Sequence, residues 1–301
     1  MAKFICVCLS STIQRTVSFK NLELENVNRS THYRQDASGK AINSARDLNQ
    51  LEKGSVKCFC PLGEKNKDLF VELAQNDNLE IDYVTVPGFT RECWTLLNRL
   101  NNTTTEIVVG EPSFDDEIKD REAKILTLIE KNLKEVDGVL IAGSRPVYFS
   151  DGIIPYIAKM AKENNKVLLA DYHGDDLKRT LETCTPDIVK INEEEFLETF
   201  GYPSFLKESE LKTAIIEKSL EYKNIFVVTR GPNSTMAAQN GSYEEFPIEK
   251  VVPVNTTACG DSFSAGFLYE FVTSKKLTDS LAKGTWCAAR NAERETPGTI
   301  E

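Results

Sequence analysis

Short apolar runs alternate along the chain with longer stretches whose apolar positions recur every three or four residues. The runs Phe4–Cys8, Val56–Cys60, Gly138–Ala142, Val167–Asp171, Ile188–Ile191 and Ile225–Thr229 predict strands. The longer periodic stretches predict helices over Ala41–Leu51, Asp116–Leu133, Gly152–Lys162, Glu193–Phe200, Glu210–Tyr222, Asp261–Val272 and Thr278–Ala292. Strands alternating with helices of this length predict an α/β fold with a mostly parallel sheet covered on both faces. Thr12–Asp36 and Ile81–Gly110 break the rhythm, being polar and short-period with no helical stretch between strands. They predict excursions that form a small, separate β-sheet, too thin to bury its own face. Two ordinary surface hairpins fit the same pattern.

At 301 residues the chain can form one large α/β domain or two modest ones, and its 41% hydrophobic content is ordinary for a globular protein. A net charge of −10 argues against non-specific nucleic-acid binding and against an anionic membrane surface, while allowing a local basic pocket. The longest N-terminal apolar run, Phe4–Leu9, is too short for a signal-peptide core or a membrane span, so a cytoplasmic protein is expected. Eight cysteines include the pairs Cys6/Cys8 and Cys58/Cys60. Both pairs lie in strand-like runs without zinc spacing, where alternate residues share a face, so buried free thiols are expected.

The segment Asn255–Phe267, NTTACGDSFSAGF, joins the small residues Ala258, Cys259 and Gly260 to Asp261 at the start of a helical pattern. A helix N-terminus offers unpaired N–H groups and the positive end of the macrodipole, which together hold an anion. A carboxylate beside such a site suits phosphoryl transfer: it takes a proton from a hydroxyl while the N–H groups stabilise charge on the phosphate. Spacing alone equally fits an ordinary Asp N-cap. Other nucleotide and metal signatures are missing. The residue at the P-loop glycine position before Gly39-Lys40 is Arg34, no G-x-G-x-x-G follows the first strand, and His32 and His173 are far apart.

TTACGDSFSAGF resembles the C-terminal signature of the ribokinase-like (PfkB) carbohydrate kinases. The resemblance assigns Asp261 as catalytic base and Ala258, Cys259 and Gly260 to the anion hole, with Ala258 replacing the usual glycine. SGKAIN, Ser38–Asn43, is similar to the G-G-K-G-x-N element of the phosphosugar branch. There Gly39 and Lys40 meet the substrate phosphate and Asn43 the sugar hydroxyls; Ser38 and Ala41 replace glycines. Arg29 in ENVNRS and Arg91 in PGFTREC resemble phosphate-binding residues of the lid, and Arg offers paired donors for phosphate oxygens. Ser144 in IAGSRP resembles the substrate loop after a core strand, where Arg145 adds a further cation. Gln14 stands where phosphofructokinase-type members carry Asp.

For the nucleotide, VKINEEE is similar to K-P-N-x-x-E, implying Lys190, Asn192 and Glu195 near the phosphates, with Asn192 and Glu195 organising Mg²⁺ through water. The same N-x-x-E is also a capping box. Thr229 and Gly231 in TRGPNS, Thr256 in the signature, and Asn291 in the tail are implied ATP contacts. The resemblance spans Ser10–Ile300, closest to the 1-phosphofructokinase and tagatose-6-phosphate kinase branch. It implies a single ribokinase-like domain over 1–301, a three-layer α/β/α core, and a lid from 12–36 and 81–110 that covers the sugar and forms a homodimer. The implied reaction is ATP-dependent phosphorylation of a ketohexose phosphate; an unphosphorylated sugar or nucleoside, or a sugar-phosphate sensor without turnover, are the alternatives.

Overall fold

The structure, a computed structural model, describes residues 2–111 and 119–301. The chain opens with β1 (Phe4–Val7), β2 (Thr12–Phe19), β3 (His32–Ser38), α1 (Lys40–Leu51), β4 (Val56–Gly63), α2 (Lys67–Asn76), β5 (Glu80–Val86), β6 (Arg91–Asn98) and β7 (Thr103–Val108). It continues through α3 (Lys119–Leu133), β8 (Gly138–Ala142), α4 (Ile153–Glu163), β9 (Val167–Asp171), α5 (Gly174–Thr183), β10 (Ile188–Asn192) and α6 (Glu193–Phe200). It ends with α7 (Glu208–Tyr222), β11 (Ile225–Thr229), β12 (Thr235–Gln239), β13 (Ser242–Phe246), α8 (Cys259–Ser274) and α9 (Leu277–Ala292). The start of the expected Asp116–Leu133 helix lies outside the described residues.

The main sheet runs β13-β12-β11-β10-β9-β8-β1-β4-β5, parallel from β11 through β5, with an antiparallel hairpin at the β13 edge. Alternate residues of β1 face opposite layers: Ile5 and Val7 join α3–α7, whereas Phe4 and Cys6, with Cys8 just after the strand, join α1, α2, α8 and α9. This is the expected three-layer architecture. Cys6 pairs in register with Cys58, and both C-x-C pairs are buried free thiols on one face. Burial pushes the Cys8 thiol up to about 12, so it stays protonated. Among the described residues no helix is long and apolar enough to cross a membrane.

The small sheet is real but smaller than expected. It comprises β3-β2-β6-β7, with β2 and β6 parallel. The first part of the expected second excursion belongs to the main sheet: β5 pairs parallel with β4, Ile81 opposite Cys58 and Tyr83 opposite Cys60. Ile81 and Tyr83 pack on the α1/α2 layer and Val84 on the other. A half-covered edge strand alternates just as a one-sided lid strand does, so periodicity could not separate them. The crossover to β5 is α2, whose few apolar positions, Leu69, Phe70, Leu73 and Ala74, sit among polar residues.

After β5 the chain returns to the other side of β1 to lay down β8. Strand order therefore reverses beside β1, and in open α/β sheets ligands bind at the strand carboxyl ends at such a point. Helices α1 and α8 pack together just there. Between them Asp47 is fully buried, and neither of its oxygens has a hydrogen-bond partner among the described residues. Burial pushes its carboxyl up to about 8; the neighbouring Ser262 hydroxyl and Arg46 only partly offset this.

The folded chain thus holds a proton on Asp47 that the unfolded chain, near pKa 4, has released, so stability falls as pH rises from about 4 to about 8. Asp47→Asn is therefore expected to raise Tm by roughly 2–4 °C or more at pH 8.5 and to leave it near wild type at pH 4.5. Calorimetry at the two pH values checks this; a lower Tm for the variant at pH 8.5 contradicts the assignment.

Candidate active site

Helix α8 starts at the carboxyl side of the sheet from an unusual N-cap. Ala258 adopts φ 66°, ψ 8°, left-handed backbone that costs a residue with a Cβ about 1 kcal/mol or more. No side chain caps this end, so capping does not consume the first-turn N–H groups. A Cβ at Gly260 would stand 2.9 Å from Lys190 Nζ, so the glycine lets that ammonium come close to the start of α8. Cys259 N–H donates to the Thr256 carbonyl, which turns the loop; the Thr256 side chain is exposed.

Asp261, in the first turn, is 7% exposed. Two residues of α1 fix it: Asn43 Nδ2 donates to its Oδ2 at 2.8 Å, and Ser44 Oγ to its carbonyl at 2.9 Å. Burial is the main cause that pushes its carboxyl up to about 7, and Asp171 adds to it. Lys40, the Asn43 amide and Lys190 oppose the shift. A carboxyl poised near neutrality is suited to accept a proton.

Asp171, which sequence reading did not single out, is the centre of the cluster. It ends β9 with no exposed surface. Its Oδ2 accepts from Lys190 Nζ at 3.0 Å and Ser264 Oγ at 2.6 Å, and Lys40 Nζ lies 3.4 Å from Oδ1. Burial raises its carboxyl, but Lys190 and Lys40 outweigh it and hold the group down at about 2. The only hint in sequence was a carboxylate closing an apolar run, at the end of a strand where ligands gather.

Lys40 also lies 3.1 Å from Glu195 Oε1. Burial works against its charge, yet Asp171, Glu195 and Asp261 together raise its ammonium well above the ordinary lysine value. Asn192 and Glu195 form a full capping box on α6: Glu195 N–H donates to Asn192 Oδ1, and Asn192 N–H to Glu195 Oε2. The cap leaves the other Glu195 oxygen facing Lys40. Among the described residues no three His, Cys, Asp or Glu side chains converge into a metal cage. Asn192 and Glu195 present oxygens that suit a hard, hydrated cation delivered with phosphate.

The remaining expected residues divide. Gly39 is the N-cap of α1, and Gly143, just before the exposed Ser144, packs beside the Lys40 stem. Gln14 on β2 donates to Thr95 Oγ1 at 2.8 Å across the small sheet. Arg91 Nε donates to Thr12 Oγ1 at 2.8 Å and lies 3.2 Å from Glu111, another residue the sequence reading passed over. Arg29 is exposed in the loop between β2 and β3. Arg145 is held by Asp151, Asp176 and the Phe149 carbonyl instead of standing free for an anion. Thr229 ends β11 beside Asn192, and Gly231 follows at φ 56°. Asn291 is fully buried, and its amide is spent on Thr257, Cys259, Gly298 and Thr299, so it braces the loop before α8 from behind. A cleft of about 690 Å³ between β5 and α3, lined by Arg121, Lys124 and Lys131, holds none of these groups.

The family description "pfkB family carbohydrate kinase" matches residues 4–300. Among solved structures, phosphofructokinase-2 from Escherichia coli, in complex with potassium, superposes with a TM-score of 0.86 at 17% identity, covering 98% of this chain and 94% of that one. A possible 1-phosphofructokinase from Thermotoga maritima gives 0.83 at 20% identity, with 98% and 93% covered. Ribokinase from Thermotoga maritima gives 0.72 at 18% identity, with 99% and 95% covered. At these identities the likeness is one of fold.

Because Asp171 is buried between two ammonium groups, Asp171→Asn leaves two cations without their shared counter-charge. A loss of about 3–5 kcal/mol in unfolding free energy is expected, measured by urea denaturation at pH 7. A loss below about 1 kcal/mol would mean the pairs contribute little.

Proposed function

The chain belongs to the pfkB family of carbohydrate kinases, and on that premise we propose that it transfers the γ-phosphoryl group of ATP to a hydroxyl of a ketohexose phosphate, of the fructose 1-phosphate or tagatose 6-phosphate type. The observation that carries this reading is Asp261, held by Asn43 at the uncapped start of α8 with its carboxyl near 7. Asp261 takes the proton of the acceptor hydroxyl. The N–H groups at the Ala258–Gly260 turn receive charge developing on the transferred group. Asn192 and Glu195 would meet Mg²⁺ through water, and the metal would neutralise charge on the nucleotide phosphates. Lys190, Thr229, Gly231 and Thr256 line the nucleotide side, while Lys40, Arg91 and Arg29 hold the phosphate that the acceptor already carries.

One observation favours a second reading. Both Lys40 and Arg91 already face carboxylates, Asp171 and Glu195 for one and Glu111 for the other, which suits an unphosphorylated sugar. A coupled ADP-release screen over phosphorylated and free sugars separates the two.

Cytoplasmic residence and a homodimer belong to the same proposal. One face of the small sheet carries Arg15, Val17 and Phe19 of β2 with Trp94 and Leu96 of β6 in register, and Ile107 opposite Trp94. The other carries the buried polar residues Gln14, Thr16 and Thr95. An apolar outward face on a thin sheet fits a second copy.

Three results are expected. Asp261→Ala lowers turnover by roughly 10²–10⁴-fold, and the wild-type kcat/KM falls tenfold per pH unit below about 7, because protonation removes the base. A profile flat between pH 5.5 and 8 excludes Asp261 as that base. Light scattering at micromolar protein gives a dimer for the wild type and a monomer for Trp94→Asp; a wild-type monomer removes the lid interface and leaves the kinase reading standing.

A further inference from the structure

Glu111 lies beyond the small sheet's last strand, yet its carboxylate reaches back to the carboxyl end of β1. Ser10 Oγ donates to Glu111 Oε1, and Arg91 Nε lies 3.2 Å from the same oxygen. Among the described residues no donor reaches Oε2. Ser10 in turn abuts the N-cap of α1: a Cβ on Gly39 would stand 3.0 Å from the Ser10 carbonyl and 2.6 Å from Cys8 Sγ. The same helix carries Lys40 and Asn43, and Asn43 holds Asp261. Glu111 is therefore linked to the base through Ser10, the N-cap of α1 and Asn43, around the point where strand order reverses and an acceptor's cleft is expected.

A polyhydroxylated acceptor brings several O–H donors into that cleft, and each needs an acceptor once water is excluded. Gln14 offers a single neutral oxygen, its amide N–H being spent on Thr95. Asp261 has one oxygen engaged by Asn43 and the other reserved for the reacting hydroxyl. Arg91, Lys40 and the Asn43 amide nitrogen are donors. Among the described residues, Glu111 adds a carboxylate oxygen that no protein donor reaches. Burial raises its carboxyl above the ordinary value, with Ser10 and Arg91 only partly offsetting this, so further donors stabilise its charge.

We propose that Glu111 is the specificity-determining carboxylate of the acceptor cleft, held by Ser10 and Arg91 through Oε1 and accepting hydrogen bonds from non-reacting acceptor hydroxyls through Oε2. This rests on the sugar-kinase reading of the cleft. It also makes Arg91 a partner of Glu111 first and a phosphate ligand second.

The test is steady-state ADP release with fructose 1-phosphate, tagatose 6-phosphate, fructose 6-phosphate and fructose, followed by monodeoxy analogues of the best acceptor. Glu111→Gln keeps the shape and removes the charge. Its KM for the acceptor is expected to rise about 10–150-fold, while KM for ATP stays near wild type. In the wild type one monodeoxy analogue carries a penalty of similar size, and in Glu111→Gln that penalty shrinks to that of a neutral acceptor, severalfold at most. A purely structural role would move both KM values and leave the deoxy penalty intact, which overturns the proposal, as does an unchanged acceptor KM. Should Glu111→Gln fail to fold, Glu111→Asp is read the same way, with a smaller rise expected. A wild type that releases ADP with none of these sugars overturns both this inference and the ketohexose-phosphate reading; activity with an unaffected variant overturns only this one.

Discussion

Asp171 is buried completely at the end of β9, where an isolated carboxylate would cost several kcal/mol to desolvate. Lys190 from β10, Lys40 from α1 and Ser264 from α8 offset that cost, so one carboxylate joins four elements. The cluster stabilises the fold and tunes the chemistry together. Asp171 stays ionised at about 2, and its fixed negative charge is one reason the Asp261 carboxyl sits near 7. Two acids in one cleft are thereby driven to opposite states, one a permanent counter-charge and the other a group able to take a proton.

The surrounding scaffold fixes these groups through buried polar ties. Arg46 on α1 is 1% exposed. It donates to the carbonyls of Ala37, at the root of the small sheet, and of Pro297 in the C-terminal tail, and it pairs with Asp77 after α2 at 2.7 Å. Asn291 ties the same tail to the loop before α8. Small sheet, tail and the loop before α8 thus share one rigid support. Breaking any tie leaves a buried polar group without a partner, which is costlier than losing a surface contact.

Much of the layered core was legible because both periodicities are strong. Ile5 and Val7 against Phe4, Cys6 and Cys8 show how a period of two sorts a strand onto two covered faces. Glu193–Phe200 was legible to the residue, since its capping box is a local signal. Helix α5 was not, because Leu177 and Leu181 are too few apolar marks in a charged segment. Strand β5 was misassigned to the small sheet, because alternation records that one face is covered and not which sheet covers it.

The same division holds at the site. Residues next to one another in sequence define the start of α8, so Ala258–Asp261 could be read from the chain alone, together with Lys40 and Asn43 at the start of α1. Partnerships across distant segments could not. Asp171 with Lys190 and Lys40, Glu111 with Ser10 and Arg91, and the withdrawal of Arg145 and Asn291 into internal contacts are all set by packing. Sequence determined the layered fold, the helix termini and the residue types available for phosphoryl transfer, because capping and periodicity act within a few residues. Tertiary structure decided which charges meet and which are buried, and hence their protonation, because electrostatic energy depends on distance and desolvation through space.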